Sequence, residues 1–245
     1  MAAEESNAEK EYIELCRNGD LEGVKASLLA GVDVNTIEPP GGYMRTGLVL
    51  ALINNHNDVV QHLLNTENLN VHLKDGYRMT ALHAAVQGNN HEGLAMLLDF
   101  QDMDELDVNA RDKYRRTPLW RAIENCSEHC IKMLLRDERV DPNIEGTQGP
   151  EYAGEHRPLS MQDDLLTPLL YAVKRGLTAR PLLRLLLSNP RTDPNIKDHS
   201  NWSKTALMYA VKENKEDIVQ ILLADPRVDL DTTERFERKA DDIAR

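Results

Sequence analysis

The chain predicts an all-α solenoid of stacked helix-turn-helix units with β-hairpin fingers and one long finger insertion. Three observations point there. First, a threonine-led start returns at Thr46-Gly47-Leu48, Thr80-Ala81-Leu82, Thr117-Pro118-Leu119, Thr167-Pro168-Leu169 and Thr205-Ala206-Leu207, with a degenerate copy at Lys239-Ala240. The steps are 34, 37, 50, 38 and 34 residues, and a period near 33 with this start marks stacked helix pairs. Second, an Asp-Val/Pro-Asn-like turn runs in phase with it: Asp33-Val34-Asn35, Asn70-Val71-His72, Asp107-Val108-Asn109, Asp141-Pro142-Asn143, Asp193-Pro194-Asn195 and Asp229-Leu230-Asp231. Third, adjacent leucines recur at Leu28-Leu29, Leu63-Leu64, Leu97-Leu98, Leu134-Leu135, Leu186-Leu187 and Leu222-Leu223.

Each element follows from local chemistry. Between the turn and the next threonine lie gaps of 11, 8, 8, 24, 10 and 8 residues; eight residues suit a short two-limbed finger. The threonine hydroxyl can cap free backbone N–H groups of a new helix, and Pro118 and Pro168 sit at the first helical position, where proline is tolerated. Small residues follow at Ala51, Ala84-Ala85, Ala122, Ala172 and Ala210, allowing close packing on both flanks. Polar breaks (Asn54-Asn55-His56, Gly88-Asn89-Asn90, Arg175-Gly176, Glu213-Asn214) precede a second helix that ends in the leucine pair, read as core. Glu128, Glu216 and Asp217 open second helices, where negative charge suits the helix start. No unit can bury both faces alone, so stability comes from neighbouring units.

Composition bounds the function. Hydrophobic residues are 41 % and charged residues 29 %, an ordinary soluble mixture. The formal net charge of −12 argues against wrapping nucleic acid, which needs many Lys and Arg to displace counterions. No apolar run approaches the roughly 18 residues of a membrane span, and the acidic start Met-Ala-Ala-Glu-Glu-Ser has no signal-peptide core. Three cysteines, Cys16, Cys126 and Cys130, fit a reducing compartment. The expectation is an intracellular, cytoplasmic protein, with the nucleus also open to it.

Thr80-Ala81-Leu82-His83-Ala84-Ala85, Asn18-Gly19-Asp20-Leu21-Glu22-Gly23-Val24-Lys25 and Gly31-Val32-Asp33-Val34-Asn35 carry a family resemblance. The chain resembles an ankyrin-repeat protein over about residues 8–245. The resemblance implies a single domain over residues 1–245. Its units run over about 8–45, 46–79, 80–116, 117–166 (with an insertion at 145–166), 167–204 and 205–238, and a partial unit covers 239–245. The first unit lacks the Thr-Pro-Leu start and carries polar Glu9, Lys10, Glu11 and Glu14, as an N-terminal cap should. After Lys239 only one short turn of the last first helix remains, implying truncation or a non-standard cap.

The resemblance also implies that aromatic and basic residues near the threonine line a concave side. Tyr43, Tyr77, Tyr114, Trp202 and Phe236 lie three residues before the threonine or its equivalent, and Trp120, Tyr171 and Tyr209 lie three or four after it. Arg45, Arg78, Arg111, Lys113, Arg115, Arg116, Arg121, Lys174, Arg175 and Lys204 interleave with them. Tyr, Trp and Arg are the types that anchor interfaces, and Arg forks onto carboxylate or phosphate. The candidate partner-binding set is Tyr43, Arg45, Tyr77, Arg78, Tyr114, Arg115, Trp120, Arg121, Tyr152, His156, Tyr171, Trp202 and Tyr209. The same residues also admit a second reading, as scaffolding of the fingers.

The 24-residue gap holds about 16 extra residues between Asn143 and Thr167, rich in Gly and Pro. Such a loop is functional or a neutral insertion. As a flap it would bring Tyr152, His156, Arg157 and Met161 over the groove. The longer finger Glu38-Pro39-Pro40-Gly41-Gly42-Tyr43 is either a bracket for the groove or a tuned turn. Elsewhere chemistry is sparse. Cys126-x-x-His129-Cys130 lacks a fourth zinc ligand, and Cys130 is expected to pack. His83 is expected to orient local hydrogen bonds. Neither G-x-G-x-x-G nor G-x-x-x-x-G-K-[ST] occurs. The sequence therefore predicts a non-enzymatic module binding a protein or peptide segment with acidic or phosphorylated groups, with no cofactor, metal, nucleic acid or membrane insertion. The alternative is an enzyme or small-ligand binder whose pocket is closed by the 145–166 loop, with His156, Asp163 and Asp164 facing Tyr171 or Arg121.

Overall fold

The computed structural model describes residues 2–100, 106–147, 165–176, 180–199 and 203–232. They fall in two compact units, Met1–Lys113 and Tyr114–Arg245. In unit 1 three helix pairs follow one another: α1 (Ala2–Asn18) with α2 (Leu21–Leu29), α3 (Gly47–Ile53) with α4 (Asn57–Leu64), and α5 (Ala81–Gln87) with α6 (His91–Leu98). Helices α1, α3 and α5 pack side by side as an inner row, and α2, α4 and α6 form the outer row. Unit 2 repeats the plan. The pairs are α7 (Pro118–Glu124) with α8 (Glu128–Arg136), α9 (Pro168–Lys174) with α10 (Arg180–Ser188), and α11 (Ala206–Lys212) with α12 (Glu216–Leu223). Between α8 and α9 lie β1 (Gly146–Thr147) and β2 (Leu165–Leu166), antiparallel, with Gly146 opposite Leu166.

The threonine starts behave as capping chemistry requires. Oγ1 of Thr46, Thr117, Thr167 and Thr205 accepts from the backbone N–H of Val49, Trp120, Leu170 and Met208 at 3.3, 3.2, 3.2 and 3.4 Å. At Thr80 the bond is reciprocal: His83 Nδ1 accepts from the Thr80 N–H at 3.2 Å, so this buried histidine closes a capping box. Helix pairs turn through one left-handed residue, at Gly19, Asn55, Asn89, Cys126, Gly176 and Asn214. Glycine and asparagine tolerate that conformation; Cys126 occupies it as the exception. Cys126 is exposed and Cys130 buried.

Close packing also needs small residues. A Cβ on Gly47 would lie 2.7 Å from Cys16 Sγ and 3.0 Å from the Tyr12 hydroxyl, so the Gly47 start lets α3 lie against α1. The N-terminal cap is longer than the sequence indicated, its helix beginning at Ala2 rather than near residue 8. It buries Tyr12, Ile13 and Cys16 and turns Glu9, Lys10, Glu11 and Glu14 outward. The leucine pairs divide their labour. Leu63, Leu97, Leu134, Leu186 and Leu222 are fully buried, whereas Leu29 and Leu223, second members of terminal pairs within their units, are exposed.

One polar ladder ties neighbouring pairs inside each unit, and a second does so in unit 2. Asn35 donates to the Asn68 carbonyl at 2.8 Å and accepts from the Asn70 N–H at 2.7 Å. Asn143 does the same with Arg191 and Asp193, and Asn195 with Arg227 and Asp229. The second ladder is made by arginine. Arg191 donates to the carbonyls of Leu135, Asp137, Glu138 and Val140, at 2.6–3.0 Å, satisfying the free C-terminal end of α8. Arg227 repeats this one pair later on the carbonyls of Leu187, Asn189, Pro190 and Thr192.

Candidate partner-binding surface

A finger has few backbone partners of its own, so a buried carboxylate organises it. In the second finger Asp75 Oδ1 accepts from the N–H groups of Tyr77 and Met79 at 2.8 and 2.9 Å. In the first, Glu38 Oε2 accepts from Tyr43 and Arg45 at 3.1 and 3.2 Å, and Oε1 takes the Arg17 guanidinium at 2.6 Å. Burial pushes the Glu38 carboxyl up, but Arg17 and the two amides overcome it and hold the group below its ordinary value. Asp198 Oδ1 accepts from the Lys204 N–H at 2.7 Å, and its other oxygen takes the Tyr209 hydroxyl. These acids escaped the sequence reading. Their signal is a carboxylate three residues past the Asx-turn: Asn35-x-x-Glu38, His72-x-x-Asp75, Asn109-x-x-Asp112 and Asn195-x-x-Asp198.

The aromatic three residues before each threonine marks where fingers dock. The Tyr43 carbonyl accepts from the Gly76 N–H at 2.7 Å, and the Tyr77 carbonyl from the Lys113 N–H at 2.8 Å. In unit 1 this ladder stacks side chains as well. The Arg45 guanidinium lies 4.6 Å over the Tyr43 ring, Tyr43 lies 5.3 Å from Tyr77, and the Lys113 ammonium sits 3.5 Å over Tyr77. Tyr43 is 49 % exposed, Tyr77 and Arg45 are half-buried, and Arg78 and Lys113 are exposed. The structure thus brings Tyr43, Arg45 and Tyr77 together, with Arg78 at the tip of the second finger. Glu38, Asp75 and Asp112 are all buried, so the outer surface of these three fingers shows cations.

Unit 2 is built differently. Tyr114 is half-buried under the Arg116 guanidinium at 4.4 Å, and its carbonyl accepts from both the N–H and the hydroxyl of Thr147, at 3.0 and 2.8 Å. Arg116 is 0 % exposed and its Nη1 donates to both carboxylate oxygens of Glu124 at 2.8 and 2.9 Å, while Arg121 reaches the same carboxylate at 3.2 Å. Part of the predicted basic stripe is therefore neutralised internally. Arg115 is exposed.

Trp120 and Tyr171 correct the sequence reading. They are 0 % and 1 % exposed, their rings 4.1 Å apart. Trp120 Nε1 donates to the Leu166 carbonyl at 3.3 Å, and a Cβ on Gly146 would lie 2.9 Å from that nitrogen. The β1–β2 stem of the insertion covers the indole, so these two rings are core, not open surface. At this finger Gly146 occupies the slot that an acid fills elsewhere. Tyr209 is half-buried, engaged by Asp198. Tyr152, His156 and Trp202 lie outside the described residues, as do Arg157, Met161, Asp163 and Asp164 and the pocket they would close. Among the described residues no group of three His, Cys, Asp or Glu could hold a metal ion, and no helix is long and apolar enough to cross a membrane.

Comparison with known proteins bears on this architecture. The family model for ankyrin repeats (3 copies) matches residues 13–112, 48–146 and 153–234. The ankyrin repeat domain of Bcl-3, described as a unique member of the IkappaB protein family, superposes with a TM-score of 0.77 at 20 % identity, covering 96 % of this chain and 93 % of that one. The human ASB11 ankyrin repeat domain superposes with a TM-score of 0.65 at 19 % identity, over 96 % and 91 %. A search of curated sequences finds no match. Identities this low speak for the fold, and the family match, spanning most of the sequence, settles membership: the chain belongs to the ankyrin-repeat family.

Proposed function

We propose that the protein is a non-enzymatic binding module that holds a protein or peptide segment carrying carboxylate or phosphate groups against its fingers. Ankyrin repeats are generally protein–protein interaction modules. The observation that carries the finer reading is the stack Arg45–Tyr43–Tyr77–Lys113, a partly exposed cation–aromatic row on a chain of net charge −12. Aromatic rings offer contact area at small entropic cost, and Lys and Arg beside them suit anionic groups. In unit 2, taken by itself, Tyr114, Arg115 and Tyr209 are the candidates. The overall acidity favours a polypeptide over a nucleic acid, and a cytoplasmic setting accords with the thiol content.

The test is binding of the intact chain to an array of acidic and phosphorylated peptides. Tyr77→Ala and Lys113→Glu should each weaken the retained peptides by about tenfold, or roughly 1.4 kcal/mol. Lys25→Glu, the same charge change on the outer helix α2, should leave them unaltered. Equal losses from Lys113→Glu and Lys25→Glu would remove the fingers from the function.

A further inference from the structure

The tips of the fingers adopt the left-handed backbone region. Met44, Arg78, Arg115 and Ser203, each two residues before its threonine, have φ of 57°, 60°, 60° and 51°. Only glycine enters that region without a steric penalty, yet none of the four is glycine. Hydrogen bonding does not explain the choice of side chain, since the carboxylate below each tip in unit 1 holds the backbone N–H groups of the residues on either side of it, which a glycine tip would leave in place. Persistent strain at an exposed loop points to a use for the side chain.

Unit 1 adds two independent observations. Met44, 52 % exposed, shares its finger with the exposed apolar side chains of Tyr43 and Ile37. The three fingers of this unit carry five cations, Arg45, Lys74, Arg78, Arg111 and Lys113, against three carboxylates that are all buried, so the surface beside the apolar tip is locally positive. An apolar tip followed one finger later by a cationic tip fits a ligand with the same order. Equivalent points on adjacent helix pairs are one packing step apart, about 8–10 Å. Extended peptide covers that in about three residues.

We propose that Met44 and Arg78 are specificity residues that seat an extended peptide bearing an apolar side chain about three residues from a carboxylate or phosphate group. The proposal rests on the reading of the fingers as a binding surface and adds the order and spacing of what they recognise. Met44 covers the apolar anchor together with Tyr43 and Ile37. Arg78 forks onto the anion, and Lys113 on Tyr77 supplies a second positive charge.

The experiment uses the full chain and an array of Gly/Ser peptides carrying one Phe and one Glu, or one Phe and one phosphoserine, at every spacing from adjacent to about eight residues. Retention should peak near a spacing of about three residues; the Glu and phosphoserine arms decide which anion is preferred. Arg78→Gly should lower retention of the peak peptides about tenfold and leave peptides with Phe alone unchanged, with Arg78→Lys restoring part of it. Met44→Gly should have the complementary effect on the Phe anchor. Both glycine variants should melt higher, by about 2 °C, because the left-handed tip is relaxed; a purely structural role for either side chain would not move stability and binding in opposite directions. A flat spacing profile, or Gly variants that bind as well as the parent, overturns the proposal. If Tyr77→Ala still weakens binding in that case, the fingers remain the binding surface; if no peptide is retained by the parent, both readings fall.

Discussion

Trp120 shows how far an aromatic residue's meaning depends on what covers it. From the sequence it stands three residues past Thr117, beside Arg121, in a pattern shared with Tyr171 and Tyr209. Its cover comes from Leu166, forty-six positions on, through a hairpin stem that no local pattern announces. The burial changes the expected phenotype. Trp120→Ala should cost about 3–5 kcal/mol of stability, as large-to-small changes in packed cores do. A denaturant midpoint close to the parent's would contradict the buried ring. The cysteines divide on the same principle. Burial pushes the Cys16 thiol up to about 12 and raises Cys130 as well, whereas Cys126 is exposed on its left-handed turn. The thiolate is the reactive species. At neutral pH one thiol should react promptly with an aromatic disulfide reagent, and substituting Cys126→Ser should abolish that phase; the other two should react only on unfolding.

At the scale of elements, the threonine starts, the turn residues and the alternation of helices were legible, because each rests on contacts within a few residues: Thr Oγ1 to the third amide on, Asp33 Oδ1 to the Asn35 N–H. What holds one element to the next was less legible. The arginine clamps recur as Asn189-Pro190-Arg191 and Asp225-Pro226-Arg227, each two residues before its Asx-turn, but an arginine in a polar segment reads as solvated surface. In the structure Arg227 closes four carbonyls of the preceding pair and is itself held by Asp225 at 2.6 Å. Arg227→Ala should therefore cost about 2–3 kcal/mol, and Arg227→Lys should recover only part, since an ammonium cannot fork. The Arg227 hydrogen bond holds the Asp225 carboxyl below its ordinary value, and Arg139 does the same for Asp137. A depressed carboxylate stabilises fully above the unfolded value, near pH 4, and that contribution disappears as pH falls through the lower, folded value. Urea midpoints measured downward from about pH 5 should fall less steeply for Asp225→Asn than for the parent. Gly88 tests packing between pairs: its Cβ would lie 2.6 Å from the Ile53 carbonyl oxygen and 2.7 Å from that of Leu52, both backbone. Gly88→Ala should destabilise by about 1–3 kcal/mol although alanine is the better helix former; a stabilised variant would show that α3 and α5 are not in this contact.

For the molecule as a whole, the decisive quantity is the contrast between a net charge of −12 and fingers whose carboxylates are buried beneath cations. The two act over different distances. On the proposed reading, an anionic peptide far from the protein meets the summed negative charge, and within a few ångströms it meets Arg45, Arg78 and Lys113. Salt therefore works on two steps in opposite senses. At about 0.01 M ionic strength the Debye length is about 30 Å and long-range repulsion slows encounter; at about 0.1 M it is about 10 Å and that repulsion is largely screened. The bound state is held by contacts shorter than either length, which salt weakens only gradually. Association of an acidic peptide should accordingly quicken between these two conditions while dissociation also quickens, so that affinity changes less than either rate. Stopped-flow measurement of both rates checks this. An association rate that falls steadily with salt would mean that the approaching ligand feels a positive protein, and the finger cations would then be steering at long range rather than recognising at contact.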